Sequence, residues 1–131
     1  MSYGSLGIDI LQSSTTGTPT QFQDGSGNQI GTLCRAWARF SISGSTVTIN
    51  AQFNISSITR TGTGAYTISF ANAMPDANYT WAGFSQASGG SQIISGNNTP
   101  TLPTASILYV ETFNANVALV DPTTCGIAVF R

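Results

Sequence analysis

From Leu33 onward, apolar and polar residues alternate along the chain. Cys34, Ala36, Ala38, Phe40 and Ile42 alternate with Arg35, Trp37, Arg39 and Ser41, and Ser43-Gly44-Ser45 then supplies a turn. Val47, Ile49, Ala51, Phe53 and Ile55 interleave in turn with Thr46, Thr48, Asn50, Gln52 and Asn54. Successive side chains of a strand leave opposite faces, so strict alternation marks a half-buried strand, and the two runs predict a hairpin. A third strand is predicted over Ala65–Phe70, with Tyr66, Ile68 and Phe70 on one face, after the turn Thr61-Gly-Thr-Gly64. Met74-Pro75-Asp76 interrupts the pattern, and Asn78–Ser85 resumes it with Tyr79 and Trp81 on one face. Residues 86–104 are polar and rich in Gly, Asn and Pro, the composition of a long loop. Strands return at Ser106–Phe113, Asn116–Val120 and Gly126–Phe130. Seven or so short strands without a helical stripe predict an all-β fold, an antiparallel β-sandwich or jelly-roll-like knob.

Residues 1–30 do not share this pattern. They hold Gly, Ser, Thr and Gln around one apolar patch, Leu6, Ile8, Ile10 and Leu11, followed by the tract Ser13-Ser-Thr-Thr-Gly-Thr-Pro-Thr20. Such a stretch buries little by itself. The expected organisation is therefore an extended N-terminal arm over 1–30, anchored to a larger body through that patch, and a knob domain over 31–131.

Composition then removes most chemistry. Among 131 residues there is no histidine and no lysine, and Glu111 is the only glutamate. Proton transfer, nucleophile activation and metal binding run mostly through these residue types, so the expectation is a protein that is not an enzyme and holds no cofactor or metal. A Ser-His-Asp device is excluded by the missing histidine, and a Ser-Lys pair by the missing lysine. A glycosidase needs two facing carboxyl groups, yet Asp24, Asp76 and Asp121 occupy turn-like contexts, Asp9 lies in the arm and only Glu111 falls within a strand. Asp24-Gly-Ser-Gly-Asn28 starts like a calcium loop, but Gln29 stands where the invariant glycine belongs and Arg35 where the closing glutamate belongs. A glycine-rich turn accounts for it better.

Charge narrows the partners. Charged residues make up 7% of the chain and the net charge is −1. Arg35, Arg39, Arg60 and Arg131 are too few and too scattered for a phosphate-tracking stripe, which argues against nucleic acid. No apolar run approaches the roughly 20 residues that span a bilayer, and the first residues lack a secretory signal, so a protein folding from Met1 in a cytoplasm is expected. Cys34 and Cys125 show no metal or redox spacing and read as two reduced thiols, with a disulfide as the minority alternative. The Asn-x-Ser/Thr triplets at Asn54, Asn78 and Asn97 then read as chance.

Two surface features remain. Arg35, Trp37 and Arg39 share one strand face and form a candidate ligand or subunit-contact patch, with Trp37 the best placed of Trp37, Tyr79, Trp81, Phe84 and Tyr109 to stack on a sugar ring. For Tyr79 and Trp81, packing is the expected role. The strands also lack the lysines that protect sheet edges, which predicts self-association.

Gly31-Thr-Leu-Cys-Arg-Ala-Trp-Ala-Arg-Phe40, Ala51-Gln-Phe-Asn-Ile-Ser-Ser-Ile-Thr-Arg-Thr-Gly-Thr-Gly-Ala-Tyr-Thr-Ile-Ser-Phe70 and Ala73-Met-Pro-Asp-Ala-Asn-Tyr-Thr80 resemble a β-rich module of bacteriophage tail-fibre and other virion structural proteins, notably from phages of aquatic bacteria. The motifs cover about 29–82, and the run Met74-Pro75-Asp76-Ala77-Asn78-Tyr79 is the most specific. The resemblance implies a homotrimeric virion protein made in the host cytoplasm, bound to other tail or capsid proteins and displayed as a short fibre or knob that aids host adsorption, with a host surface glycan as partner. The chain departs from that plan in having no shaft repeat or heptad seam ahead of the module, which favours a compact knob. A capsid decoration or head-fibre protein without a receptor is the alternative, and a lectin-like module is a weaker one. The resemblance transfers no catalytic residue.

Overall fold

The structure, a computed structural model, describes residues 7, 10, 11, 22–87, 90–96 and 102–131. The chain divides into two compact units, Met1–Leu33 and Cys34–Arg131. In the first, β1 (Phe22–Gln23) and β2 (Gln29–Gly31) form a short antiparallel hairpin. Its turn is closed by Asp24, whose carboxylate accepts the backbone N–H groups of Ser26 and Asn28 at 2.9 Å and the Asn28 side-chain amide at 3.0 Å. Those donors, the Asn28 amide foremost, hold the carboxyl below its usual range. Both oxygens thus face N–H groups, the geometry of an Asx-closed turn.

The second unit is a sandwich of two four-stranded antiparallel sheets. In sheet one the order is β4 (Thr46–Phe53), β3 (Cys34–Ser43), β10 (Thr124–Phe130) and β7 (Thr80–Gln86). Sheet two runs β5 (Ile55–Gly62), β6 (Ala65–Phe70), β9 (Ile107–Asn114) and β8 (Gln92–Gly96). No helix occurs among the described residues, and the all-β sandwich expected from the alternation is the fold that forms. Hairpins stay within a sheet (β3–β4, β5–β6, β8–β9), and the remaining connections cross between sheets.

The core lies where the alternation of β3, β6, β9 and β10 faces inward. Ala36, Ala38, Phe40 and Ile42 of β3, with Cys125, Ile127 and Val129 of β10, meet Tyr66, Ile68 and Phe70 of β6 and Leu108 and Val110 of β9, all buried. Phe40 and Tyr66 join the two sheets edge-on with ring centroids 5.6 Å apart. Burying a side chain of this kind contributes about 1.5–3 kcal/mol. Tyr79 and Trp81 are half-buried against this core, as their packing role required. Tyr79 also stacks edge-on with Phe70 at 5.6 Å and donates its hydroxyl to the Ile107 carbonyl at 2.8 Å.

Polar junctions close the two ends of the sandwich. At one, Asn54 stands between β4 and β5 with φ 57, the left-handed conformation that Asn tolerates best after Gly. Its side-chain amide donates to the carbonyls of Arg35 and Asn72 at 3.0 Å, while its Oδ1 accepts the Asn72 N–H at 2.7 Å. At the other end Asp121 receives four donors. Its Oδ1 accepts from Arg60 Nε (2.9 Å), the Gly64 N–H (2.9 Å) and the Tyr66 hydroxyl (2.7 Å), and its Oδ2 from Arg60 Nη2 (2.7 Å).

Three sequence expectations are corrected. The run Val47 to Ile55 is not one strand with one buried face. The chain crosses to the other sheet at Asn54, and a bulge at Asn50 sets Ile49 opposite Phe40 but Ala51 opposite Arg39, reversing the side on which the odd-numbered residues fall. Residues 86–104 contain β8, which pairs with β9; the adjacent Ile93 and Ile94 hide its alternation, since Ile94 packs on the core and Ile93 is exposed. Asn116–Val120 is a turn with one bridge, Phe113 to Leu119, not a strand. The Asn114 side chain captures the backbone N–H groups of Asn116 (2.9 Å) and Ala118 (3.0 Å), and Val117 takes φ 61.

Both cysteines are free. On the β3–β10 ladder Cys34 lies opposite Phe130 and Cys125 opposite Phe40, so the thiols sit near opposite ends of one ladder. Six residues of strand span roughly 20 Å, far beyond the reach of a disulfide. Reductant should leave the melting temperature unchanged, and mild oxidation should give no faster-migrating monomer on a non-reducing gel; either change would contradict this ladder register.

Candidate functional site

The outward side of sheet one is the most unusual surface of the second unit. On β3, Trp37 and Arg39 point away from the core between the buried Ala36, Ala38 and Phe40. The bulge at Asn50 turns Phe53 and Ala51 to the same side, directly opposite Trp37 and Arg39. Next across the sheet, Trp37 lies opposite Ala128 and Ala128 opposite Ala82, while Arg39 lies opposite Gly126 and Gly126 opposite Phe84. Two parallel rows result, Phe53–Trp37–Ala128–Ala82 and Ala51–Arg39–Gly126–Phe84. Three large rings remain in water here: Trp37 is 40% exposed, Phe53 53% and Phe84 48%.

The floor between the rings is small-residue backbone. A Cβ at Gly126 would overlap Cε1 of Phe84, so that ring lies directly on the glycine and depends on its having no side chain. On the inward side Gly83 is also confined, and a Cβ there would sit 2.7 Å from the Gly126 carbonyl oxygen. This stretch of β7 and β10 therefore packs closely on both faces.

Arg35, Trp37 and Arg39 all lie on β3 but differ in exposure. Trp37 and Arg39 belong to the exposed rows. Arg35 lies at the irregular end of the β3–β10 ladder, half-buried, with its Nη1 shielded from solvent and without a hydrogen-bond partner. The described carboxylates are engaged elsewhere. Asp121 pairs with Arg60 and Asp76 with Arg131, each at 2.7 Å; Asp24 closes its turn, and Glu111 is buried in sheet two opposite Ala65 and Ser95. No acid among the described residues lies across from Arg39 on this face.

Of the proposed anchor, Leu6 and Ile8 lie outside the described residues, while Ile10 and Leu11 are exposed at 75% and 51%. Phe53 is the residue that sequence reasoning missed, because period-two alternation assigned it to the buried face. One usable signal was Ala51, Ala82, Gly126 and Ala128: small residues on outward positions, where solvated strands usually carry Thr or charged side chains.

The Asp121 junction is a dense polar cluster at one end of the sandwich. Its groups are mutually satisfied, and its carboxyl is held down to about 2, chiefly by the Arg60 guanidinium. Burial raises the Tyr66 phenol well above its usual value, and the Asp121 carboxylate adds to that. A carboxylate so low and a phenol so high exchange no protons near neutrality, which suits a structural clamp. Among the described residues no group of three or more His, Cys, Asp or Glu side chains comes together as metal ligands. Compared with protein-family models, curated proteins and solved structures, the chain matches none of them.

Proposed function

We propose that this protein is a non-enzymatic virion protein of a tailed phage, a knob displayed on the particle surface as a short fibre that aids adsorption to the host. The observation that carries this reading is the exposed face of sheet one, where Trp37, Phe53 and Phe84 stay in water over an Ala/Gly floor. Exposed rings clustered on one rigid sheet mark an interaction surface rather than a solvated one. The resemblance of residues 29–82 to phage fibre modules supplies the setting.

Assembly as a homotrimer belongs to the same proposal. The edge strands β4, β7 and β8 carry no charged residue and no proline, and β5 carries only Arg60. Uncharged edges of this kind are protected by pairing or covering them. The apolar patch Leu6, Ile8, Ile10 and Leu11 would anchor the arm on other tail or capsid proteins.

Gold-labelled antibody on intact virions tests the reading. Label on the tail is the expected result. Label on the head would replace adsorption with capsid decoration, and virions that bind no antibody would remove the display role altogether.

A further inference from the structure

We propose that the outer face of sheet one binds a carboxylated glycan, with Trp37, Phe53 and Phe84 stacking on sugar rings and Arg39 meeting a carboxylate. The inference rests on the adsorption reading and names the ligand class of its binding face.

Geometry comes first. Neighbouring strands lie about 4.8 Å apart, so a row across four strands is about 14 Å wide, and the two rows are about 7 Å apart along the strands. Phe53 and Trp37 sit together at one side, and Phe84 lies diagonally across, beyond Arg39 and Gly126. That separation suits about two or three linked pyranose rings. Ala51, Ala82 and Ala128 keep the face low around the rings, and the Phe84 ring covers Gly126, so a sugar can approach the rings past short side chains. Aromatic faces suit the apolar side of a pyranose, and a guanidinium pairs with a carboxylate through two parallel hydrogen bonds.

Charge selects the occupant. A face-to-face contact between two copies would bury two Arg39 guanidinium groups in one small apolar interface with no described acid on either face to pair them. An offset contact would need an acid elsewhere on the surface, and the described acids are ion-paired, buried or closed into a turn. A single-stranded nucleic acid could stack on the same rings, but one exposed arginine tracks no phosphate chain. A carboxylated glycan supplies both the stacking surface and the anion.

The test is calorimetric titration of the full chain with oligogalacturonate, oligoalginate and hyaluronan fragments, against neutral galacto-oligosaccharides of equal length and oligothymidylate. At least one carboxylated ligand is expected to bind about tenfold or more tighter than its neutral counterpart. Trp37→Ala and Phe84→Ala should each weaken that binding about tenfold while leaving the circular dichroism spectrum unchanged. Arg39→Gln should abolish the preference for the charged ligand and its salt dependence. Gly126→Ala keeps Phe84 but displaces its ring, and is expected to weaken binding several-fold. Binding of none of the three carboxylated ligands, or tighter binding of oligothymidylate, would overturn the proposal. So would a Trp37→Ala variant that sediments as a monomer where the parent is an oligomer, since the face would then be a subunit contact. Tail label with no glycan binding would overturn the ligand class alone, whereas glycan binding by a protein absent from virions would uphold the ligand class and remove the adsorption role.

Discussion

Replacing Gly64 with alanine should destabilise the sandwich by about 4 kcal/mol, enough to lower its melting temperature by about 20 °C. Gly64 has φ +67, a conformation costing an L-residue about 1–2 kcal/mol. Space adds to this. A Cβ there would lie 2.6 Å from the Thr112 carbonyl oxygen and 2.8 Å from the Val120 nitrogen. Both are backbone atoms, so no rotamer change relieves the overlap. The turn must instead retreat from β9, loosening the Thr112 N–H bond to the Gly64 carbonyl (2.8 Å) and the Gly64 N–H bond to Asp121 (2.9 Å), each worth about 1 kcal/mol. Gly44 provides the control: its φ is +60, but a Cβ would meet nothing within 4 Å, so Gly44→Ala should cost only about 1 kcal/mol. Urea titrations of the two variants separate the terms, and equal losses would show that crowding at Gly64 plays no part.

Asp121→Asn is expected to cost about 3 kcal/mol and to remove an acid transition. Four donors converge on two carboxylate oxygens, and an amide presents an N–H to one of them, leaving Arg60 or Tyr66 unsatisfied. The pH dependence follows from the sign of the shift. The folded carboxyl titrates near 2 against an ordinary 3.8, so its contribution is complete above about pH 4 and vanishes as pH falls towards 2. A difference of this size corresponds to about 2 kcal/mol at neutral pH. Thermal melts between pH 6 and pH 2 should show a parent that weakens on acidification and an Asn variant that starts lower and stays flatter there. Parallel curves for the two proteins would assign the acid sensitivity to another group.

Much of this architecture was legible because a half-buried strand records its two faces in alternate residues. Ala36 to Ile42 and Tyr66 to Phe70 are such records, and both strands carry the core where the pattern placed it. Alternation also put Trp37 and Arg39 on one side, without saying that the side faced water. The part that stayed hidden depends on single-residue events. The extra residue at Asn50 leaves no mark in a hydrophobic pattern, yet it decides whether Phe53 enters the core or joins Trp37. β8 was hidden by two adjacent isoleucines, and the Asn114 turn by a side chain that outcompetes the sheet for two backbone N–H groups. The binding face was half visible for the same reason: β3 could be read directly, but its neighbours Phe53 and Phe84 are adjacent only in the folded sheet.

The position of β10 between β3 and β7 governs how this unit can be made. β3 begins the sandwich and pairs with a strand some ninety residues further along, so sheet one has no centre until that strand arrives. The β5–β6 hairpin can form from local contacts while synthesis continues, but Phe84 does not join Trp37 and Phe53 on one surface until Thr124–Phe130 inserts between β3 and β7. Pairing over such long sequence separations folds in milliseconds to seconds rather than microseconds. During synthesis, β3 and β4 therefore wait as an unpaired hairpin with an exposed apolar side, and that interval is when the protein is most open to aggregation or chaperone capture.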